Sequence, residues 1–150
     1  MGARVHRNAW PNIGWSRLAV TPAARHLFGG QSHAELFNWH YDTFEIPQGA
    51  TRSLFGRHCL NKGFVRGRHL GFQSHLEVTE DSVRAWCTES RQELTLLLHD
   101  RPWPTVQSEA EMLSDLPART AQLHGLARGV YRQWIDGLRR PTLAHLHGGW

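Results

Sequence analysis

Apolar and polar residues follow one period over the first half of the chain and another beyond residue 79, and this change separates predicted strands from predicted helices. From Ile13 to Val20, with Trp15, Leu18 and Val20 apolar and Ser16 and Arg17 between them, the pattern predicts a strand ended by Thr21-Pro22. A short helical turn is expected at Ala23 to Phe28, broken by Gly29-Gly30. Ala34 to Trp39 then reads as a short strand that delivers His40 and Asp42 to a loop, and Pro47-Gln48-Gly49 as a turn. Thr51 to Phe55, Gly63 to Arg66 and His69 to Gln73 read as three short strands. The tight links at Gly56 and Arg66-Gly67 make them antiparallel neighbours.

At Thr79 the reading changes to helix. Thr79-Glu80-Asp81 has the form of an N-cap followed by an acidic first turn, and Val83, Trp86 and Cys87 then fall at the spacing of one helix face. The predicted helix runs from Glu80 to Ser90 and can continue through Leu94 to Leu98 before Pro102 and Pro104 end it. Residues 117 to 139 form a second predicted helix. Pro117 suits its first turn, and Leu123, Leu126, Ala127, Val130, Trp134 and Leu138 lie on one stripe read as core packing. Residues 141 to 150, with His145-Leu146-His147 and two glycines, read as a tail.

Composition narrows the possible settings. A chain of 150 residues with 40% apolar and 20% charged residues can build one domain with a core, and it is not the composition of a disordered chain. Runs such as Leu96-Leu97-Leu98 are far too short to cross a bilayer, the N-terminus lacks the apolar core of a signal peptide, and His6 stands where myristoylation requires Ser or Thr. These features predict a cytoplasmic protein without a membrane partner. Two cysteines outside any Cys-x-x-Cys pair predict reduced thiols, and they imply neither a metal nor a cofactor. The net charge of +4 comes almost wholly from arginines spread along the chain. Only Arg66-Gly67-Arg68-His69 and Arg139-Arg140 cluster, so no nucleic-acid partner is expected.

Candidate chemistry lies where the predicted strand at 69 to 73 runs into the predicted helix start. His75 and Glu77 sit at that junction, and an imidazole two residues from a carboxylate can be oriented and charged by it. The same two residues also fit a surface loop with no function. Taken with His40 and Asp42, they make two His-x-carboxylate pairs, which leaves a divalent-metal site open as a further reading.

Gln73-Ser74-His75-Leu76-Glu77 resembles the Gln-Phe-His-Pro-Glu signature of class I glutamine amidotransferases. Asn38-Trp39-His40-Tyr41-Asp42-Thr43-Phe44-Glu45-Ile46-Pro47-Gln48-Gly49-Ala50 is similar to the His-Trp-His-Gly-Asp-Thr-Phe-x-x-Pro-x-Gly-Ala segment of the GMP-synthase-like branch. Gly2-Ala3-Arg4-Val5-His6-Arg7-Asn8 and Ile13-Gly14-Trp15 match the segment that follows the nucleophile-bearing helix in that family. The resemblance covers residues 2 to about 90. It implies an α/β fold, a truncated three-layer flavodoxin-like sheet with flanking helices. Residues 1 to 140 would form the C-terminal portion of the domain and 141 to 150 a tail.

In function, the resemblance implies hydrolysis of glutamine to glutamate and ammonia by a Cys-His-Glu triad. His75 would be the base, Glu77 its orienter, and Trp39, His40, Tyr41 and Asp42 part of the loop that closes over glutamine. A synthase domain or subunit would accept the ammonia. The sequence departs from the family pattern in three places: Leu76 replaces Pro, Ser74 replaces an aromatic residue, with looser packing around the triad expected, and Tyr41 replaces a Gly, with an obstructed pocket expected. The Gly-x-Cys-x-Gly elbow that carries the nucleophile is also absent. Cys59 and Cys87 lack flanking glycines and fall elsewhere. The expectation is therefore a chain inactive by itself, either awaiting a nucleophile-bearing half or surviving as a non-catalytic remnant or binding partner.

Overall fold

In the computed structural model, residues 1–100 and 103–139 are described. Five strands form one sheet: β1 (Val5–Val20), β2 (His33–Phe44), β3 (Thr51–Phe55), β4 (Gly63–Arg66) and β5 (His69–Phe72), in the order β2-β1-β3-β4-β5 with every neighbour antiparallel. A 3-10 helix, Pro22–Phe28, joins β1 to β2 and ends at Gly29, which takes the left-handed conformation. Four α-helices follow: α1 (Glu80–Glu89), α2 (Arg91–Asp100), α3 (Glu109–Leu113) and α4 (Leu116–Arg139). The α/β sheet with flanking helices expected from the sequence is present. None of the helices is long and apolar enough to cross a membrane, among the described residues.

The sheet curls until its two ends meet. β2 lies at one end of the strand order, yet Phe37 within it pairs with His75, three residues past β5 at the other end, and the His75 amide donates to the Phe37 carbonyl at 2.8 Å. The result is a half-barrel closed at one point. Its helix-facing side is apolar, with Ile13, Trp15, Phe37, Val83 and Leu123 in one buried cluster.

Four elements differ from the sequence reading. β1 begins eight residues earlier than expected because it bulges: Arg7 pairs with Asp42 and Asn12 with His40, so residues 8 to 11 stand opposite Tyr41 alone. Pro11, which cannot donate to a ladder, sits inside that bulge. β2 continues to Phe44, so His40 to Asp42 lie on a strand rather than in a loop. The helix predicted to run on beyond Ser90 is two helices, with Ser90 at φ −101° and ψ 19° between them. On α4 the expected stripe buries Leu123, Ala127 and Val130. Trp134 and Leu138 are exposed, because the helix runs past the core. The stretch 141 to 150, read as a tail, lies outside the described residues.

Gly14 fixes the far edge of β1. Ile13 forms a parallel bridge to Val106, donating to Thr105 O at 2.9 Å and accepting from the Gln107 amide at 3.0 Å, while the Gln107 side chain accepts from the Trp15 amide at 2.7 Å. Gly14 has φ +106°, and a Cβ there would stand 2.3 Å from Gln107 Oε1. Gly14→Ala is therefore expected to cost roughly 2–4 kcal/mol, from backbone strain plus the displaced hydrogen bond. Chemical denaturation would measure it, and a loss under about 0.5 kcal/mol, the size of a neutral surface change, would contradict it.

Candidate active site

The chain leaving β5 is pinned residue by residue. The Gln73 amide donates to Lys62 O at 3.0 Å, and its side chain donates to Thr43 Oγ1 at 2.9 Å and Asn61 O at 2.8 Å. Ser74 Oγ donates to Asn38 Oδ1 at 2.8 Å, and the His75 amide holds Phe37 O. Ser74, Leu76 and Val78 are buried. Alternation in an extended segment then places His75 and Glu77 together on the outer side. Thr79 stops the segment and starts α1: its hydroxyl accepts from the Ser82 amide at 3.2 Å, and its amide donates to Ser82 Oγ at 2.8 Å.

His75 Nδ1 and Glu77 Oε1 are 2.7 Å apart. An ionised carboxylate only accepts, so the proton of this bond lies on Nδ1, and Nε2 is the nitrogen left to exchange a proton. Partial burial works against the charged form of Glu77. The His75 hydrogen bond, backbone amides and the imidazole charge outweigh it and hold the carboxyl below its ordinary value. The Trp86 ring meets the imidazole edge to face at 4.9 Å between centroids, and Trp39 in turn meets Trp86 at 5.9 Å. Trp39, His75, Trp86 and Ser90 line a cleft of about 290 Å³. The imidazole thus borders an aromatic recess.

The four residues expected to bind substrate divide between two faces of β2. Trp39 joins His75 in the cleft. Tyr41 lies on the same face, donates its hydroxyl to Glu93 on α2 and carries the Arg7 guanidinium over its ring at 4.3 Å. Burial and the Glu93 carboxylate push its phenol above the ordinary value, so it stays a donor. Tyr41 is not among the residues with positive φ, so the strand accepts a side chain where the family pattern has Gly. On the other face, Asp42 pairs with Arg7 at 3.7 Å, and His40 turns toward the inside of the half-barrel.

That inside is polar. Lys62 Nζ donates to Asn38 Oδ1 at 2.9 Å and to His40 Nε2 at 2.7 Å, and His40 Nδ1 donates to Asp42 O at 2.9 Å. Burial, then the Lys62 charge, pulls the His40 pKa down to about 4, and burial pulls Lys62 down to about 8. Ser74 occupies polar space in this network, so the exchange of an aromatic residue for serine changes the kind of packing there rather than merely loosening it. The sequence reading takes Asn38 and Trp86 only as part of a motif and of a helix face and does not single out Lys62 or Glu93, so none of the four is expected at the site. The one available signal was that Lys62 is the only lysine among 17 basic residues.

Both ring nitrogens of His40 are engaged, and no group of three or more His, Cys, Asp or Glu side chains is placed to hold a metal ion, among the described residues. Cys59 and Cys87 are buried, and burial raises the Cys87 thiol above its ordinary value.

Among solved structures, the chain matches a glutamine amido transferase from Methylobacillus flagellatus at 40% identity and a TM-score of 0.85, over 98% of this chain and 61% of that one. It also matches a glutamine amidotransferase from Thermotoga maritima at 26% identity and a TM-score of 0.77, over 90% of this chain and 56% of that one. The chain thus spans less than two thirds of the length of these solved relatives. No protein-family model matches the chain, and no curated protein matches it.

Proposed function

We propose that this chain, a class I glutamine amidotransferase-like domain spanning 61% of one solved relative, supplies the base and orienting carboxylate for glutamine hydrolysis. The nucleophilic thiol comes from outside these residues. The observation that carries this reading is the 2.7 Å His75–Glu77 pair with the imidazole at the edge of a cleft. Neither thiol of the chain suits the attack, because both are buried and a nucleophile needs thiolate character and access.

In the reaction, His75 Nε2 takes the proton of the incoming thiol, and the thiolate adds to the side-chain amide carbon of glutamine. The protonated imidazole, stabilised by Glu77, passes that proton to the departing nitrogen, and ammonia leaves a thioester behind. The same nitrogen then activates water to release glutamate. Trp39 forms one wall of the glutamine site, with Tyr41 on the same face of β2 and His40 and Asp42 behind it. A synthase domain or subunit receives the ammonia, and a cytoplasmic setting suits reduced thiols.

The test measures glutamate release from glutamine by this chain alone and by a fusion to the part of the Methylobacillus flagellatus relative that it does not cover. Activity is expected only in the fusion. Activity of the chain alone that disappears with Cys59→Ala would overturn the placing of the nucleophile. A folded fusion inert toward glutamine would favour a non-catalytic binding role.

A further inference from the structure

The chain has 17 basic residues, of which only Lys62 is a lysine, and that lysine is 1% exposed. Its hydrogen-bond partners are an amide oxygen and an imidazole nitrogen rather than a carboxylate. A buried amine without a counter-ion is costly, and an apolar side chain of the same length would fill the space without that cost. The arrangement calls for a role that only a donor can perform.

The chemistry of the bonds identifies it. An ammonium can only donate, so His40 Nε2 must accept. A carbonyl can only accept, so His40 Nδ1 must carry the proton given to Asp42 O. The ring is thereby held neutral in one tautomer from both sides. It bridges Lys62 to the backbone at Asp42 at the point where the β1–β2 register jumps between the Asn12–His40 and Arg7–Asp42 pairs. Tyr41, between them, has no partner in that register, so the ladder alone does not set this segment. The second Lys62 bond runs through Asn38 Oδ1 to Ser74, the residue before His75. One amine therefore contacts, through two short chains of hydrogen bonds, both the 39–42 wall and the strand that carries the base.

We propose that Lys62 is a positioning residue, which locks His40 as the Nδ1–H tautomer and so fixes the Trp39–Asp42 segment relative to His75. The groups facing the pair are Asn38 and His40 from β2, Cys59 from the β3–β4 connection and Ser74 after β5. The charges of His75 and Asp42 also reach His40. The consequence for glutamine binding rests on the hydrolytic reading above. The tautomer itself does not.

Side-chain 15N spectra of the labelled chain test the proposal, and a single lysine means a single Nζ signal to follow. Between pH 5 and 8, around neutral pH where an unperturbed imidazole titrates, His40 should show an unprotonated Nε2 and a protonated Nδ1 throughout. Lys62→Met should release the ring into mixed tautomers and move its titration up toward the ordinary range, while Lys62→Gln, a neutral donor, should restore the single tautomer. In the completed enzyme, Lys62→Met should raise KM for glutamine about tenfold with kcat much less affected, and Lys62→Gln should recover most of it. An Nε2–H tautomer in the native chain, or His40 signals unchanged in Lys62→Met, would overturn the clamp. An unchanged KM despite released tautomers would overturn its link to substrate. The expected spectra in a fusion with no hydrolytic activity would uphold the clamp and count against the hydrolytic reading instead.

Discussion

His75→Ala in the nucleophile-bearing fusion is expected to cut glutamate release by roughly 10³- to 10⁵-fold, with little change in glutamine binding. The size follows from the two jobs given to one nitrogen. Without it no group near the cleft deprotonates the thiol, and none protonates the departing nitrogen or activates water for the thioester. Glu77→Gln should cost less, roughly 10²-fold, because the amide keeps a hydrogen bond to Nδ1 but no longer stabilises the imidazolium. The Glu77 side chain is also 63% exposed, so water partly replaces its charge. Single-turnover assays separate the steps: His75→Ala should abolish thioester formation, and Glu77→Gln should slow both formation and breakdown. An active fusion that loses less than about tenfold with His75→Ala, below the usual contribution of a general base, would remove this histidine from the mechanism.

Asn38→Ala is the substitution expected to damage the fold most, by roughly 3–5 kcal/mol. Asn38 is fully buried, and its side-chain oxygen accepts from both Lys62 and Ser74. Truncating it leaves an ammonium with one partner and a hydroxyl with none. Asn38→Leu combined with Lys62→Met removes both ends and should recover most of the loss. If the double variant is no more stable than the single one, the stranded charge is not the cause. The pH dependence gives a second reading. The folded pKa of Lys62 lies near 8, below its ordinary 10.5. The unfolded chain therefore binds more protons across that interval, and the contribution of Lys62 to stability rises with pH from about 8 to about 10.5. In Asn38→Ala the window should open at lower pH and the deficit should shrink in alkaline solution.

What could be read from the sequence was local in origin. Three short strands between Thr51 and Phe72, the Thr79 cap, and an imidazole and a carboxylate two residues apart all follow from period and spacing, and the structure places them accordingly. What could not be read depends on partners distant in sequence. The bulge opposite Tyr41 requires both β1 and β2, and the meeting of Phe37 with His75 requires the whole sheet to curl. α3 is only five residues long, and its capping box, Ser108 with Glu111, is the one sequence sign of it. Lys62 stands next to the predicted strand that starts at Gly63, and nothing in that local setting hints that the lysine is buried. Its neighbours Asn38 and Ser74 lie 24 and 12 residues away in sequence and meet it only inside the half-barrel.

With its only lysine enclosed, the folded chain presents no ε-amine to solvent. Its exposed basic side chains that stay charged at neutral pH are guanidinium groups, which remain ionised in strongly alkaline solution. Acetylation, ubiquitin attachment and amine-directed cross-linking consequently have no lysine to reach on these 150 residues until the barrel opens. Modification read at the lysine side chain would then report barrel opening at a single atom.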